Sequence, residues 1–190
     1  MVNGPGPHSR IYQTTTVVGS KLFVFGGQIG GYFFNDMWAL DLNNRTFAYC
    51  SSEPFRPDIP AVQSQPVWES YESIPGNEKP LPRVGHVSVV IEGRIIMSVP
   101  LSFALYPRLI LCRFGGRDDQ HSYNDTWSFD ISKRKWSELQ CTGSIPSPRA
   151  CAAAVLVGDV MYVFGGYSRN GGYLGDLYAL QLSSEWFIAC

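Results

Sequence analysis

One phrase occurs three times in this chain, and its recurrence limits the fold more than any other feature. The first copy is Leu22-Phe23-Val24-Phe25-Gly26-Gly27 followed by Phe34-Asn35-Asp36-Met37-Trp38-Ala39-Leu40-Asp41. The second is Arg113-Phe114-Gly115-Gly116 followed by Tyr123-Asn124-Asp125-Thr126-Trp127-Ser128-Phe129-Asp130. The third is Met161-Tyr162-Val163-Phe164-Gly165-Gly166 followed by Leu174-Gly175-Asp176-Leu177-Tyr178-Ala179-Leu180. The second and third glycine pairs stand 50 residues apart. A period of this size, built from short strands, marks a propeller blade, a unit that buries its faces only against its neighbours. The expected fold class is all-β: a partial β-propeller over residues 1–190, with about three to four four-stranded antiparallel blades. Such an array predicts a binding scaffold before any catalytic residue is considered.

The third copy shows how a blade is written. Ala152 to Val157 is a continuous apolar run, as in a strand buried on both faces. Gly158-Asp159 is a two-residue hairpin turn, and Val160 to Phe164 is the next strand. Gly165-Gly166 ends it where a side chain would hinder close backbone approach. A polar loop is expected from Tyr167 to Tyr173, then a third, alternating strand from Asp176 to Leu182. The middle copy supplies the fourth strand, Asp130-Ile131-Ser132-Lys133-Arg134-Lys135-Trp136-Ser137-Glu138-Leu139. Aromatic residues at 14% with only 16% charged suit many short strands and argue against disorder.

The order of apolar strand, double glycine, loop, Asn-Asp-x-Trp, Leu-Asp or Phe-Asp, Trp, and then Pro-x-Pro-Arg resembles the kelch motif of kelch-repeat β-propellers. The residues that carry it are Gly26, Gly27, Asp36, Trp38, Trp68, Arg83, Gly85, His86, Gly115, Gly116, Asp125, Trp127, Trp136, Arg149, Gly165, Gly166, Asp176 and Tyr178. Within that group two stretches, Asn124 to Arg149 and Asp159 to Gly166, look closest to fungal cell-end marker proteins of the tip-elongation-aberrant type. Pro82-Arg83-Val84-Gly85-His86 keeps the Gly-His that follows Pro-Arg in the family. Arg10-Ile11-Tyr12-Gln13 and Arg149-Ala150-Cys151 lose it, which weakens two blade boundaries.

The period breaks between the first and second glycine pairs, which lie 89 residues apart. Two aperiodic stretches, 45–62 and 98–113, account for the excess and are suspected insertions. The second interrupts a strand, because Arg94-Ile95-Ile96-Met97 should run directly into Phe114-Gly115-Gly116. Both are readable as retained introns. Met97-Ser98 and Arg45-Thr46 permit GT donors, and Cys112-Arg113 and Ala61-Val62 permit AG acceptors. In-frame removal of 17 and 16 residues would bring the spacing from 89 to 56. A genuine surface loop at each place is the alternative. Pro100, Pro107 and Arg108 argue against a membrane span over 95–112.

No residue pattern points to catalysis. There is no GxSxG, P-loop, HExxH or dinucleotide fingerprint. His8, His86 and His121 lack metal-ligand spacing, and His86 reads as a structural blade histidine. Asp118-Asp119 and Glu69 with Glu72 are paired acids that read as solvated. Arg10, Arg83 and Arg149 read as packing groups that bond to loop backbone, and Trp38, Trp127 and Tyr178 as core. Five cysteines without a CxxC fit reduced thiols in a cytoplasmic chain, and the first residues lack the apolar core of a secretory signal. A net charge of −1 gives no reason to expect a nucleic-acid partner.

The expectation is therefore a non-enzymatic scaffold, without cofactor or metal, that binds proteins through the loops after each double glycine: Gln28 to Phe33, Arg117 to Ser122 and Tyr167 to Tyr173. The resemblance to cell-end markers implies partners in cell polarity at a tip or the cortex. Two alternatives are a galactose-oxidase-like copper enzyme fragment, which shares the propeller, and a truncated product without a function of its own. Uncapped terminal blades would also leave the chain prone to self-association.

Overall fold

The structure is a computed structural model, and it describes residues 6–42, 68–71, 73, 75–76, 78–93 and 108–182. The strands are β1 (Thr14–Val18), β2 (Lys21–Phe25), β3 (Gln28–Ile29), β4 (Tyr32–Phe33), β5 (Met37–Asp41), β6 (Trp68–Ser70) and β7 (Val87–Gly93). They continue as β8 (Arg108–Phe114), β9 (Thr126–Asp130), β10 (Lys135–Leu139), β11 (Ala153–Val157), β12 (Val160–Ser168) and β13 (Gly172–Gln181). Among the described residues there is no helix.

Three antiparallel sheets follow the three sequence copies. Blade 1 has the order β1-β2-β5-β6, blade 2 the order β7-β8-β9-β10, and blade 3 the order β11-β12-β13 among the described residues. The expected four-stranded blade is thus present twice, and Trp68 and Trp136 lie on the fourth strands. The chain is a partial propeller of consecutive up-and-down blades.

Strand alternation divides each blade into two faces. In β8, Leu111 and Arg113 point toward blade 1, while Ile110, Cys112 and Phe114 point toward blade 3. Phe23, Phe25, Met37 and Tyr71 of blade 1 bury themselves against Leu111, Phe129 and Trp136 of blade 2. Val87, Val89, Ile91, Ile110 and Cys112 of blade 2 bury themselves against Met161 and Val163 of blade 3. Each buried side chain of this size contributes roughly 1.5–3 kcal/mol, so the blades are held mainly by their neighbours.

Several expectations need correction. The run from Ala152 to Val157 is not buried on both faces. Val155 and Val157 are 56% and 60% exposed, because only one side of β11 meets another blade. The loop expected over Tyr167 to Tyr173 is largely strand. β12 passes through the glycine pair with a register shift between Phe164 and Gly166, then pairs Tyr167 with Tyr173 and Ser168 with Gly172. Of the two suspected insertions, 45–62 lies outside the described residues, as do Arg94–Met97 and 98–107. Residues 108–113 form most of β8, and the ladder from Val87–Phe114 to Gly93–Arg108 is complete. The blade therefore loses no pairs there, and Ile110, Leu111 and Cys112 are buried rather than exposed.

The double glycines all adopt the left-handed conformation, with φ of 62° and 94°, 68° and 101°, and 66° and 102°. Their surroundings differ. A Cβ on Gly115 would stand 2.7 Å from the Arg149 carbonyl oxygen, whereas one on Gly165 would meet only the Leu174 carbonyl, at 3.1 Å. Valine at either position is expected to cost about 1–3 kcal/mol from the forced backbone conformation, with Gly115→Val the worse of the two. Urea melts of the two variants test this. An unchanged midpoint for Gly115→Val would show that the conformation is not required.

Candidate functional site: the loop face above three arginine clamps

The lead-in residue of each blade pairs with the residue that follows its double glycine. Ile11 bridges Gln28, Val84 bridges Arg117, and Ala150 bridges Tyr167. All three loops therefore sit at the same end of their blades, and the opposite end carries the turns, such as Gly158-Asp159.

Beneath this face each blade has one clamp. Arg10 holds Asp36 through Nη1–Oδ1 at 2.6 Å and Nη2–Oδ2 at 3.0 Å. Arg83 grips Asp125 in the same two-pronged way, with Nη2–Oδ2 at 2.9 Å. Arg149 grips Asp176 at 2.5 and 2.9 Å. The same Nη1 donates to the carbonyl of the first glycine of the pair, Gly26, Gly115 or Gly165, at 3.0, 3.1 and 3.0 Å. Each Nε donates two residues back, to the carbonyl of His8, Leu81 or Ser147. The planar guanidinium fork suits this task, since one group ties lead-in, glycine turn and third strand together.

All three arginines donate to loop backbone, and they also hold carboxylate partners that the sequence reading missed. The signal was available, because each copy carries one lead-in Arg, after Ser9, Pro82 or Pro148, and one motif Asp. The Trp two residues after the Asp completes two clamps: Trp38 Nε1 and Trp127 Nε1 donate to Asp36 and Asp125 at 2.7 and 2.8 Å. Tyr178 has no such donor, and Arg149 lies over its ring at 5.3 Å. Trp127 is core as expected, whereas Trp38 and Tyr178 are half-buried. Burial pushes the Asp36 carboxyl up, but the bonds from Arg10 and Trp38 outweigh it and hold the group below its ordinary range. Arg149 lowers Asp176 likewise.

Three residues at matching positions run across the blades as a backbone belt. Gly85 N donates to the Tyr12 carbonyl at 3.4 Å, and Cys151 N donates to the Gly85 carbonyl at 2.6 Å. All are left-handed: Gly85 at 65°, Tyr12 at 59° and Cys151 at 58°. Loss of glycine from the first and third copies has therefore not changed the backbone, although a non-glycine residue there costs roughly 1–2 kcal/mol. His86 is fully packed. Its Nε2 lies 2.8 Å from Thr14 Oγ1 of blade 1, while Nδ1 has no hydrogen-bond partner among the described residues. Burial, with Arg113 and Arg83 nearby, pushes its pKa well down. It is a blade-to-blade contact.

The face itself is rich in aromatic surface. Tyr12, Tyr32 and Tyr173 are 58%, 67% and 92% exposed. Beside Tyr32 an open cleft of about 660 Å³ is lined by His8, Ile29, Phe34, Asp36 and Pro82 among others. Arg169 of blade 3 donates to the Gln120 carbonyl at 2.5 Å, which ties two loops together. Among the described residues, no group of three His, Cys, Asp or Glu side chains is close enough to hold a metal ion, and no helix is long and apolar enough to cross a membrane.

The acids read as solvated have defined roles. Glu69 pairs with Lys21 and Arg134, while Glu72 lies outside the described residues. Asp118 accepts the backbone N–H of Gln120 and His121 at 2.7 and 2.6 Å and the Tyr123 hydroxyl. Burial pushes the Asp118 carboxyl up, but these bonds bring it to about 2. Burial and Asp118 together raise Tyr123 to about 12. A depressed carboxyl stabilises the folded turn above its ordinary pKa of 3.8 and loses that effect as pH falls through about 2. The 117–122 turn is thus expected to stay ordered at mildly acidic pH and to loosen only on approach to about 2. Amide exchange at Gln120 and His121, corrected for intrinsic rates, measures this. Identical protection in Asp118→Asn throughout would contradict it.

Comparison with known proteins fits this geometry. Residues 102–188 match the KLHDC2/KLHL20/DRC7 Kelch-repeats domain, and residues 9–52 match the Kelch motif. Kelch domain-containing protein 3 of Rattus norvegicus is 26% identical over 189 residues, which are 97% of this chain and 42% of that protein. Host cell factor 1 of Homo sapiens is 28% identical over 97% of this chain and 8% of its own length. Host cell factor homolog hcf-1 of Caenorhabditis elegans is 35% identical over 56% of this chain and 11% of its own. The chain spans less than half the length of each of these relatives. With its repeated double glycines, arginine clamps and blade sheets, the chain is a kelch-repeat protein that forms part of a β-propeller.

Proposed function

We propose that this chain is a non-catalytic scaffold that binds another protein on the face carrying the post-glycine loops. The observation that carries the proposal is the exposed aromatic surface of that face. Tyr32 and Tyr173 project from hairpins on blades 1 and 3. Tyrosine combines a large apolar area with a polar tip at low entropic cost, as protein interfaces favour. The clamps below fix the loop bases, so a partner meets a surface that is already ordered. The narrower reading, a scaffold for cell polarity at a tip or the cortex, rests on the motif resemblance and is tested by following a tagged chain in growing cells.

Photo-crosslinking tests the docking face. A benzophenone amino acid at position 32 or 173 should capture the same partner protein in cells, and at position 159, on the opposite end, it should not. Capture from position 159 alone would place the partner elsewhere and overturn the proposal.

A further inference from the structure

Each lead-in arginine donates through Nε to the carbonyl two residues back, but the residue at that position differs. It is His8 in blade 1, Leu81 in blade 2 and Ser147 in blade 3. Only Ser147 brings a hydroxyl. Arg149 Nη2 donates to its Oγ at 3.1 Å while also donating to Asp176 Oδ2 at 2.9 Å. Nη1 serves Asp176 Oδ1 and the Gly165 carbonyl, and Nε the Ser147 carbonyl, so all five guanidinium N–H groups have acceptors. The hydroxyl keeps its own proton and rests on the edge of a cation whose side chain is fully buried.

Ser147 is exposed, in the segment between β10 and β11 that belongs to no strand. The exposure belongs to the position rather than to blade 3, because Leu81 is 58% exposed and His8 is exposed in blades whose next neighbour is present. Asn124 Nδ2 of blade 2 donates to the Pro146 carbonyl at 3.2 Å and ties down the backbone just before it. Pro148 follows, and a residue before proline is held extended. In the whole sequence no other serine or threonine directly precedes a proline.

We propose that Ser147 is a phosphorylation site for a proline-directed kinase and that Arg149 receives the phosphate. In the transfer Ser147 Oγ attacks the γ-phosphorus of ATP as the bond to the bridging oxygen breaks. ADP leaves, and the hydroxyl proton passes to the kinase's base. The product carries about −1.5 to −2 charge beside the N–H that already holds Oγ. A guanidinium takes phosphate in the same two-pronged way as carboxylate. Arg149 has no spare N–H, so the phosphate gains a second bond at the expense of Asp176, the other partner of Nη2. The modification exchanges one clamp partner for another and loosens the tie on β13. Arg10 and Arg83 have no such hydroxyl two residues back, and their clamps are closed to this exchange.

The test uses the folded 190-residue chain, ATP and purified mitogen-activated and cyclin-dependent kinases, with the phosphate located by mass spectrometry. One phosphate at Ser147 is expected, and none at that position in Ser147→Ala. Phosphorus NMR then reads whether Arg149 holds it. The phosphate should titrate about one pH unit lower in the folded chain than in a free peptide of residues 143–150 bearing the same phosphoserine. Amide exchange over residues 176–180 should quicken on phosphorylation, while exchange over β9 of blade 2 stays as it was. Failure of both kinases to modify Ser147 in the folded chain, a titration matching that of the peptide, or unchanged exchange in β13 would each overturn the proposal.

Discussion

Asp125→Ala is expected to destabilise the chain by about 3–5 kcal/mol, the cost of leaving one member of a buried ion pair alone. The Arg83 side chain is only 3% exposed and that of Asp125 20%, so water does little to screen the pair. Removing the carboxylate also leaves Trp127 Nε1 without its acceptor. Asp176→Ala in blade 3 should cost clearly less, because its carboxylate is 39% exposed and no Trp donor depends on it. Asp125→Asn should fall between, since it keeps an acceptor but loses the charge. Denaturant unfolding of the three variants gives the order, and a larger loss from Asp176→Ala than from Asp125→Ala would show that burial does not set the worth of these clamps.

Arg113→Met is expected to act in the opposite direction and stabilise the chain by about 1–3 kcal/mol, the usual cost of a buried donor left without a partner. Arg113 is 2% exposed, and among the described residues none of its three guanidinium nitrogens has a hydrogen-bond partner. Its compensation is mainly aromatic, with a smaller attraction from the Asp125 charge: the guanidinium lies 3.1 Å from the Phe25 ring centroid and 4.4 Å from that of Trp136. Such contacts are worth about 2 kcal/mol when desolvated, while removing an ion from water costs several. Burial, followed by repulsion from Arg83, holds its pKa well below the ordinary arginine range. The matching residues of blades 1 and 3 are Val24 and Val163. Methionine keeps the length and offers sulfur to the same rings, whereas Arg113→Ala should leave a cavity and destabilise. A lower melting temperature for Arg113→Met would mean that the cation is better accommodated than its contacts indicate.

The same position bears on the suspected insertion. Deleting residues 98–113 places Met97 directly before Phe114, as Val163 precedes Phe164, and restores the two-residue turn with Glu92-Gly93 where blade 3 has Gly158-Asp159. The deleted chain is expected to fold with its Phe114 amide at least as well protected as in the full chain. Loss of that protection would show that Ile110–Arg113 are the authentic strand.

The parts of the blade that local chemistry dictates were legible in the residues. Glycine pairs at positive φ, two-residue turns and alternating apolar strands each require particular residue types close together, so blade number and strand order followed. The clamps were only half legible, because Arg83 and Asp125 lie 42 residues apart and meet only once the sheet has formed. The left-handed Tyr12 and Cys151 were hidden for a related reason: the belt imposes a backbone that neither side chain announces. Ala152–Val157 was misread because an apolar strand looks the same whether or not a neighbour covers it. Tyr167–Tyr173 was misread because polar residues on an extended hairpin resemble a loop.

Each clamp lies wholly within its own blade, spanning 26, 42 and 27 residues. Closing loops of these lengths differs in entropy by only about half a kcal/mol, since the cost rises slowly with length. No clamp waits for another blade. As the chain leaves the ribosome, Arg10 can be locked once Asp36 has emerged, well before Arg83 has been made. The lateral packing between blades must come later, when both partners exist. Synthesis therefore delivers the molecule as a succession of pre-tied units, and a stall in translation between blades should leave the last unit tied at its loop end but unburied on its open face until the next blade arrives.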